Sequence, residues 1–347
     1  MLLAPSRIGC TAFAALAAVP LAAASPALAQ DLYAGKTLEM VVGGGAGGGY
    51  DIYARVVSRH LGRFIPGNPT VVVKNMPGAS SNKAAQYISA IAPKDGTSIG
   101  AIMPGAIMAP LLDEKAAPMF DPTKVQYVGT ANSGTRICAT LKGTKISSFE
   151  DTRKVKGVKF GSSGPADSTY EYGHLHRNTS GAIYEMVSGY RGTPDMALAM
   201  ERGEIDGICG WDWSSFKSQK PDWLRDNKAN VLLQVSIEPH PELTKMGVPT
   251  VWKYVANEVD RKAVELVVSQ TVFHRSYIAP PETPPAQLAV LRAAFDKTMQ
   301  DPQFLADAQK SRVDIEPLSG AKVQEVIAKL YATPKDVVER ARKAIRQ

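Results

Sequence analysis

Apolar and polar positions from Thr37 onward switch between the period of a strand and the period of a helix. Leu38-Glu39-Met40-Val41-Val42 is a short, nearly continuous apolar run of strand length, and the glycine-rich residues 43–49 end it. With Asp51 as a helix cap, Tyr53, Val56, Val57, Leu61 and Phe64 then recur at helical spacing until Pro66-Gly67 stops the pattern. Thr70-Val71-Val72-Val73 predicts a β-branched strand and Pro77-Gly78 a turn. A helix to about Ile91, a turn at Asp95-Gly96 and a strand over 98–103 complete the unit. The order βαβαβ predicts parallel pairing with right-handed crossovers.

The same plan recurs over residues 157–210. Val158-Lys159-Phe160 runs into Gly161-Ser162-Ser163-Gly164-Pro165, and a helix follows from near Asp167. A strand over 183–187, the turn Gly189-Tyr190-Arg191-Gly192-Thr193-Pro194, a helix ending near Gly203 and a strand over 205–209 follow in turn. Two α/β lobes are therefore expected, each a mostly parallel sheet flanked by helices. In open parallel sheets ligands bind beyond the carboxyl ends of the strands, and both Gly/Ser-rich loops sit there. If the lobes face each other, the loops become two jaws of a cleft. Glycine lets backbone approach a guest closely, and unpaired N–H groups at helix starts favour an oxyanion such as a carboxylate. Trp211-Asp212-Trp213 follows the last strand of the second unit, and Arg136 and Arg191 are candidate counter-ions.

Other chemistries fit less well. Gly43-Gly44-Gly45-Ala46-Gly47-Gly48 satisfies G-x-G-x-x-G, but the second strand ends in Lys74-Asn75, without the acid that holds a ribose. No cofactor is expected. Gly161-Ser162-Ser163-Gly164 misses a nucleophile elbow by one position. A secreted serine hydrolase using Ser162 or Ser163 is the alternative, and it would need a base such as His240 or His274. No metal site is expected: His174 and His176 are two apart on a predicted helix and so diverge, and Cys138 and Cys209 lack the spacing of a metal knuckle.

Residues 1–29 read as a secretory signal, with Arg7, an Ala/Leu-rich stretch over 11–24 and the small-residue site Ala27-Leu28-Ala29. That predicts an exported, periplasmic protein. Beyond the N-terminus no apolar run reaches the length of a membrane span. Of the 3 cysteines, Cys10 falls in the signal; in an oxidising compartment Cys138 and Cys209 can form a bridge or stay as two buried thiols. The net charge of +7 on 347 residues, with no block of Lys or Arg, argues against a nucleic-acid partner and suits anionic small molecules. The basic stretch over 335–346 reads as a solvated amphipathic helix.

The motifs together resemble those of the extracytoplasmic Bug-type solute-binding receptors of tripartite tricarboxylate transporters. Val42 through Gly47-Gly48-Gly49-Tyr50-Asp51 to Ala54-Arg55 is similar to the first loop of that family, and Val72 to Ala79 and Pro93-Lys94-Asp95-Gly96 to its two turns. Gly161-Ser162-Ser163-Gly164 is similar to its second loop. Tyr190-Arg191-Gly192 with Gly203-Glu204-Ile205-Asp206, and Ala279-Pro280-Pro281-Glu282-Thr283-Pro284, resemble later motifs. Glycines replace the prolines and aromatic that usually open the first loop; Tyr50 replaces a small polar residue, and Tyr170 stands where His is common.

The resemblance implies a two-lobed type II periplasmic-binding-protein fold, closing on a small organic carboxylate and delivering it to the small and large subunits of a membrane permease. By motif, Gly47, Gly48, Gly49, Tyr50 and Asp51 would line one jaw, and Ser162, Ser163, Asp167, Ser168 and Thr169 the other. Tyr190, Trp211 and Asp212 are added from position, and Tyr50, Tyr170 and Trp211 suggest an aromatic or bulky acid beside aliphatic di- or tricarboxylates. The expected organisation is a signal over 1–29, a first lobe from 30–131 plus 251–347 and a second lobe over 132–250. The crossings are expected near residues 130–135 and 248–253. A monomeric, non-enzymatic receptor is expected, with a sensor feeding a membrane signalling protein as the other non-enzymatic reading.

Overall fold

The computed structural model describes residues 32–113, 120–165 and 167–346. The signal expected over 1–29 lies outside these residues. Among them, no helix is long and apolar enough to cross a membrane.

The first unit consists of β1 (Thr37–Val42), α1 (Gly49–Leu61), β2 (Thr70–Asn75), α2 (Asn82–Ala90), β3 (Ser98–Ile102) and α3 (Pro104–Leu112). After β4 (Gln126–Thr130) the chain leaves this sheet, and β5 (Arg136–Leu141) opens a second one. There follow β6 (Lys159–Ser162), α4 (Ser168–Thr179), β7 (Glu185–Ser188), α5 (Thr193–Glu201), β8 (Gly207–Asp212) and α6 (Trp213–Gln219). The short helices α7 (Pro221–Arg225) and α8 (Pro241–Lys245) flank β9 (Ala229–Val235). Helix α9 (Glu258–Val268) then brings the chain back to β10 (Ser276–Ala279) of the first sheet. The chain ends in α10 (Pro285–Gln300), α11 (Pro302–Lys310), β11 (Leu318–Ser319), α12 (Gly320–Tyr331) and α13 (Lys335–Ala344).

The fold is α/β, with two sheets in the strand orders β11-β4-β10-β3-β1-β2 and β7-β6-β8-β5-β9. Each expected βαβαβ unit forms a parallel trio, β2-β1-β3 and β7-β6-β8. The sheets as wholes are mixed rather than mostly parallel. The strands that connect the two halves, β4, β5, β9 and β10, extend each trio by antiparallel pairing. The strand over 136–141 is expected from the sequence, but these short apolar runs carry no signal of direction, so their antiparallel pairing is not. Helix α1 starts at Gly49, which places Asp51 in its first turn instead of at the cap. Strand β8 runs on to Asp212, so Trp211 and Asp212 belong to the strand and not to the loop after it.

Apolar clusters fill three layers. One lies on the outer face of each sheet, and the third joins the inner faces of both through α9, α12 and α13. The C-terminal helix α13 is not merely a solvated amphipath. Its Arg342 donates to the carbonyl of Leu111 at the end of α3, and Arg346 donates to that of Leu112. Arg340 donates to the Asn178 carbonyl near the end of α4, and Asn178 donates to the carbonyls of Ala344 and Arg346. Cationic side chains thus satisfy carbonyls that helix C-termini leave unpaired, and one helix straps both halves together.

Cys138 and Cys209 form a disulfide across the β5–β8 pair, where they are register partners with Cα atoms 4.0 Å apart.

Candidate functional site

Four helices start at one place between the sheets: α1 at Gly49, α3 at Pro104, α4 at Ser168 and α5 at Thr193. Each follows a strand of a parallel trio, so the trio geometry aims all four N-termini into a cleft of about 410 Å³. Asp167 caps α4 through the Thr169 N–H, while α1, α3 and α5 have no side-chain cap. Pro104 and Pro194 remove one N–H each from the first turns of α3 and α5, so α1 presents the fullest set of unpaired N–H groups to a guest anion.

The first loop reaches the cleft through Gly47, Gly48, Gly49 and Tyr50, with Gly47 in the left-handed region at φ +75°. Asp51 is buried off the cleft wall. It accepts from the Gly47 N–H, Arg55 and Asn75, which stitches the loop to α1 and β2. Burial pushes its carboxyl up, but those three donors outweigh it and hold the group below its ordinary range. Asp51 shapes the jaw from behind.

From the second loop, Ser163, Asp167, Ser168 and Thr169 line the cleft. Ser162 is fully buried behind them, its hydroxyl 2.8 Å from that of Ser188. This jaw is pressed against β8 at Gly210, which sits at φ +81°; any side chain there would collide with the Ser168 carbonyl. Trp211 and Asp212 line the floor. The Trp211 ring itself is core, packed edge-on against Phe216 and Trp223. Tyr190 packs at the edge of the second-sheet cluster and Tyr170 contacts His174, so neither lines the cleft. Arg191 stands at the rim, its side chain 95% exposed.

The floor also holds Arg136 and His274, which the sequence offered as a counter-ion and a base, with Arg275 and Glu171, which carry no local signal in it. Arg275 precedes β10, and its guanidinium lies 4.2 Å over the Tyr50 ring and 4.5 Å over the Tyr53 ring. It reaches Asp212 Oδ1 at 3.3 Å, while Asp212 also caps α6 through the Ser215 N–H. Arg136 donates to His274 Nδ1 at 3.0 Å, and His274 Nε2 faces Asp212 Oδ2 at 3.5 Å. Burial, reinforced by Arg275 and Arg136, drives the His274 pKa well below its usual value, so the ring is neutral. Glu171, also on the cleft wall, has its carboxyl pushed up to about 7 by burial. These groups come from β5, α4, β8 and the segment before β10, far apart in sequence. Only a known topology brings them together.

The geometry bears on the other chemistries. Neither Ser162 nor Ser163 has a histidine partner among the hydrogen bonds of the described residues; the cleft histidine is held by Arg136 at Nδ1 and turns Nε2 toward Asp212. His176, unlike its neighbour His174, is brought against the Cys138–Cys209 bridge. Both sulfurs are bonded to each other there, and burial lowers the His176 pKa to about 3. That cluster is packing.

No family model matches the chain. It is similar to a UPF0065 protein of Bordetella bronchiseptica, 34% identical over 97 residues, a stretch that is 28% of this chain and 28% of that protein. Among solved structures it is similar to a TctC solute binding protein from Polaromonas, with 16% identity, a TM-score of 0.65 and coverage of 88% of this chain and 99% of that one. A protein of R. palustris solved with adipate aligns with 18% identity, a TM-score of 0.67 and coverage of 88% and 97%. The fold is that of the TctC-type solute-binding proteins, the group that the sequence motifs resemble.

Proposed function

From that fold we propose that the chain is a periplasmic receptor which binds a small organic carboxylate in the cleft and delivers it to a tripartite tricarboxylate-type permease of small and large subunits. The observation that carries this reading is the convergence of four helix N-termini, three of them without a side-chain cap, on one cleft. Backbone N–H groups at helix starts present fixed partial positive charge to a carboxylate with no reorganisation on binding. The adipate held by the R. palustris relative is a guest of this chemistry.

In this reading the first lobe comprises residues 30–131 and 251–347, the second 132–250, and Gly47–Tyr50 and Ser163–Thr169 are the gripping jaws. The receptor acts as a monomer and performs no chemistry on its guest. A thermal-shift screen of aliphatic and aromatic acids tests it. An acid at 100 times its dissociation constant stabilises the folded chain by about 2.7 kcal/mol. At least one small carboxylate should raise the melting temperature in a saturable way; no shift with any acid would remove the proposal.

A further inference from the structure

The cleft floor buries more positive charge than it compensates. Arg136 and Arg275 are 7% and 4% exposed, and the Nε donor of each has no partner. Asp212 is a single carboxylate, with Oδ1 already accepting from the Ser215 N–H, the Ser215 hydroxyl and Arg275. His274 is neutral and takes up only one Arg136 donor. Glu171 faces Arg136, Asp167 and Gln270, and burial keeps it partly protonated near neutral pH, so its compensation of Arg136 is incomplete. A buried guanidinium lacking a full set of acceptors is costly unless an anion arrives to complete it.

The two arginines also belong to different sheets. Arg136 opens β5, whereas Arg275 precedes β10. The backbone of the first jaw lies directly against Arg275, since a side chain at Gly49 would come within 3.2 Å of its Nη2. We propose that Arg136 and Arg275 together seat one carboxylate of an aliphatic acid at the cleft floor, beneath the N-terminus of α1, and so tie the two sheets together through the guest. The proposal rests on the carboxylate-receptor reading and specifies its site. The guest is aliphatic because the expected aromatic walls are in use: Arg275 covers the Tyr50 face, Trp211 is packed in the core, and Tyr170 lies off the cleft.

Calorimetric titration with succinate, glutarate, adipate and benzoate, on wild type, Arg136→Gln, Arg136→Lys and Arg275→Lys, tests it. Wild type should bind at least one of the three diacids and prefer it to benzoate. Arg136→Gln should weaken that diacid at least tenfold, and Arg136→Lys should restore part of the loss. Arg275→Lys keeps the charge but loses the fork and should weaken the diacid severalfold; it serves if Arg136→Gln melts early. Affinities within twofold of wild type in both Arg136→Gln and Arg275→Lys would overturn the seat while leaving the receptor reading intact. Tighter binding of benzoate would overturn the aliphatic assignment. Failure of wild type to bind any of the four would overturn the seat; failure across the whole acid screen would overturn the receptor reading as well.

Discussion

Glu171 offers the clearest pH signature at the scale of one residue. Burial raises its pKa from 4.5 to about 7 in the folded chain. Below 4.5 both states hold the proton; between 4.5 and 7 the unfolded chain releases it first. Stability from this group is therefore full at acid pH, falls as pH rises through that window and levels off above it. Urea unfolding from pH 5 to 8 should show Glu171→Gln losing this slope relative to wild type; equal slopes would mean that Glu171 is ionised throughout. Gly210 makes a second single-residue prediction. Its φ of +81° and contact with the Ser168 carbonyl exclude a side chain, so Gly210→Ala should cost about 1–3 kcal/mol or more in the same measurement. Residues whose role is local were legible: the loop glycines, and Asp167 as the start of α4. Asp51 was legible as an anchor of α1 but not as a group facing away from the guest, because a helix start does not reveal which side of the loop is solvent.

Among the elements, the βαβαβ trios were legible because their strands, turns and helices are contiguous in sequence. Strand β5 was legible too, but the antiparallel pairings were not, because β4 pairs with β10 and β5 with β9 across more than 80 intervening residues. The β5–β8 pairing places Cys138 opposite Cys209 and closes a loop with a sequence separation of 71. Denatured, unreduced protein made without residues 1–29 should show no free thiol. The Cys138→Ala, Cys209→Ala chain should lose roughly 4 kcal/mol on the chain-entropy estimate, less any native strain relieved. Helix α13 was misread at this scale: its charge pattern suits solvent, yet its arginines cap the ends of α3 and α4. Truncation before Lys335 should lower the melting temperature and strip the cover from the cluster that joins both sheets. Unchanged melting would deny the strap a structural role.

For the whole molecule, two sheets joined by crossing segments suit closure by rotation of rigid lobes. Small-angle scattering should give a smaller radius of gyration with saturating acid than without, once any co-purified guest has been removed. The cleft floor is where sequence reading fell furthest short. Arg136 and Arg275 line one cleft only because the chain leaves the first sheet after Thr130 and returns to it at Ser276.

On the proposed reading, one small carboxylate binds per chain, between the two jaws. Ser163 lies on the wall, so Ser163→Trp should fill the cleft without entering the core. Calorimetric titration of the acid that most raises the melting temperature should give one site per chain for wild type and no measurable binding for Ser163→Trp at an unchanged melting temperature. Equal affinity and stoichiometry in both chains would place the guest elsewhere and contradict the account.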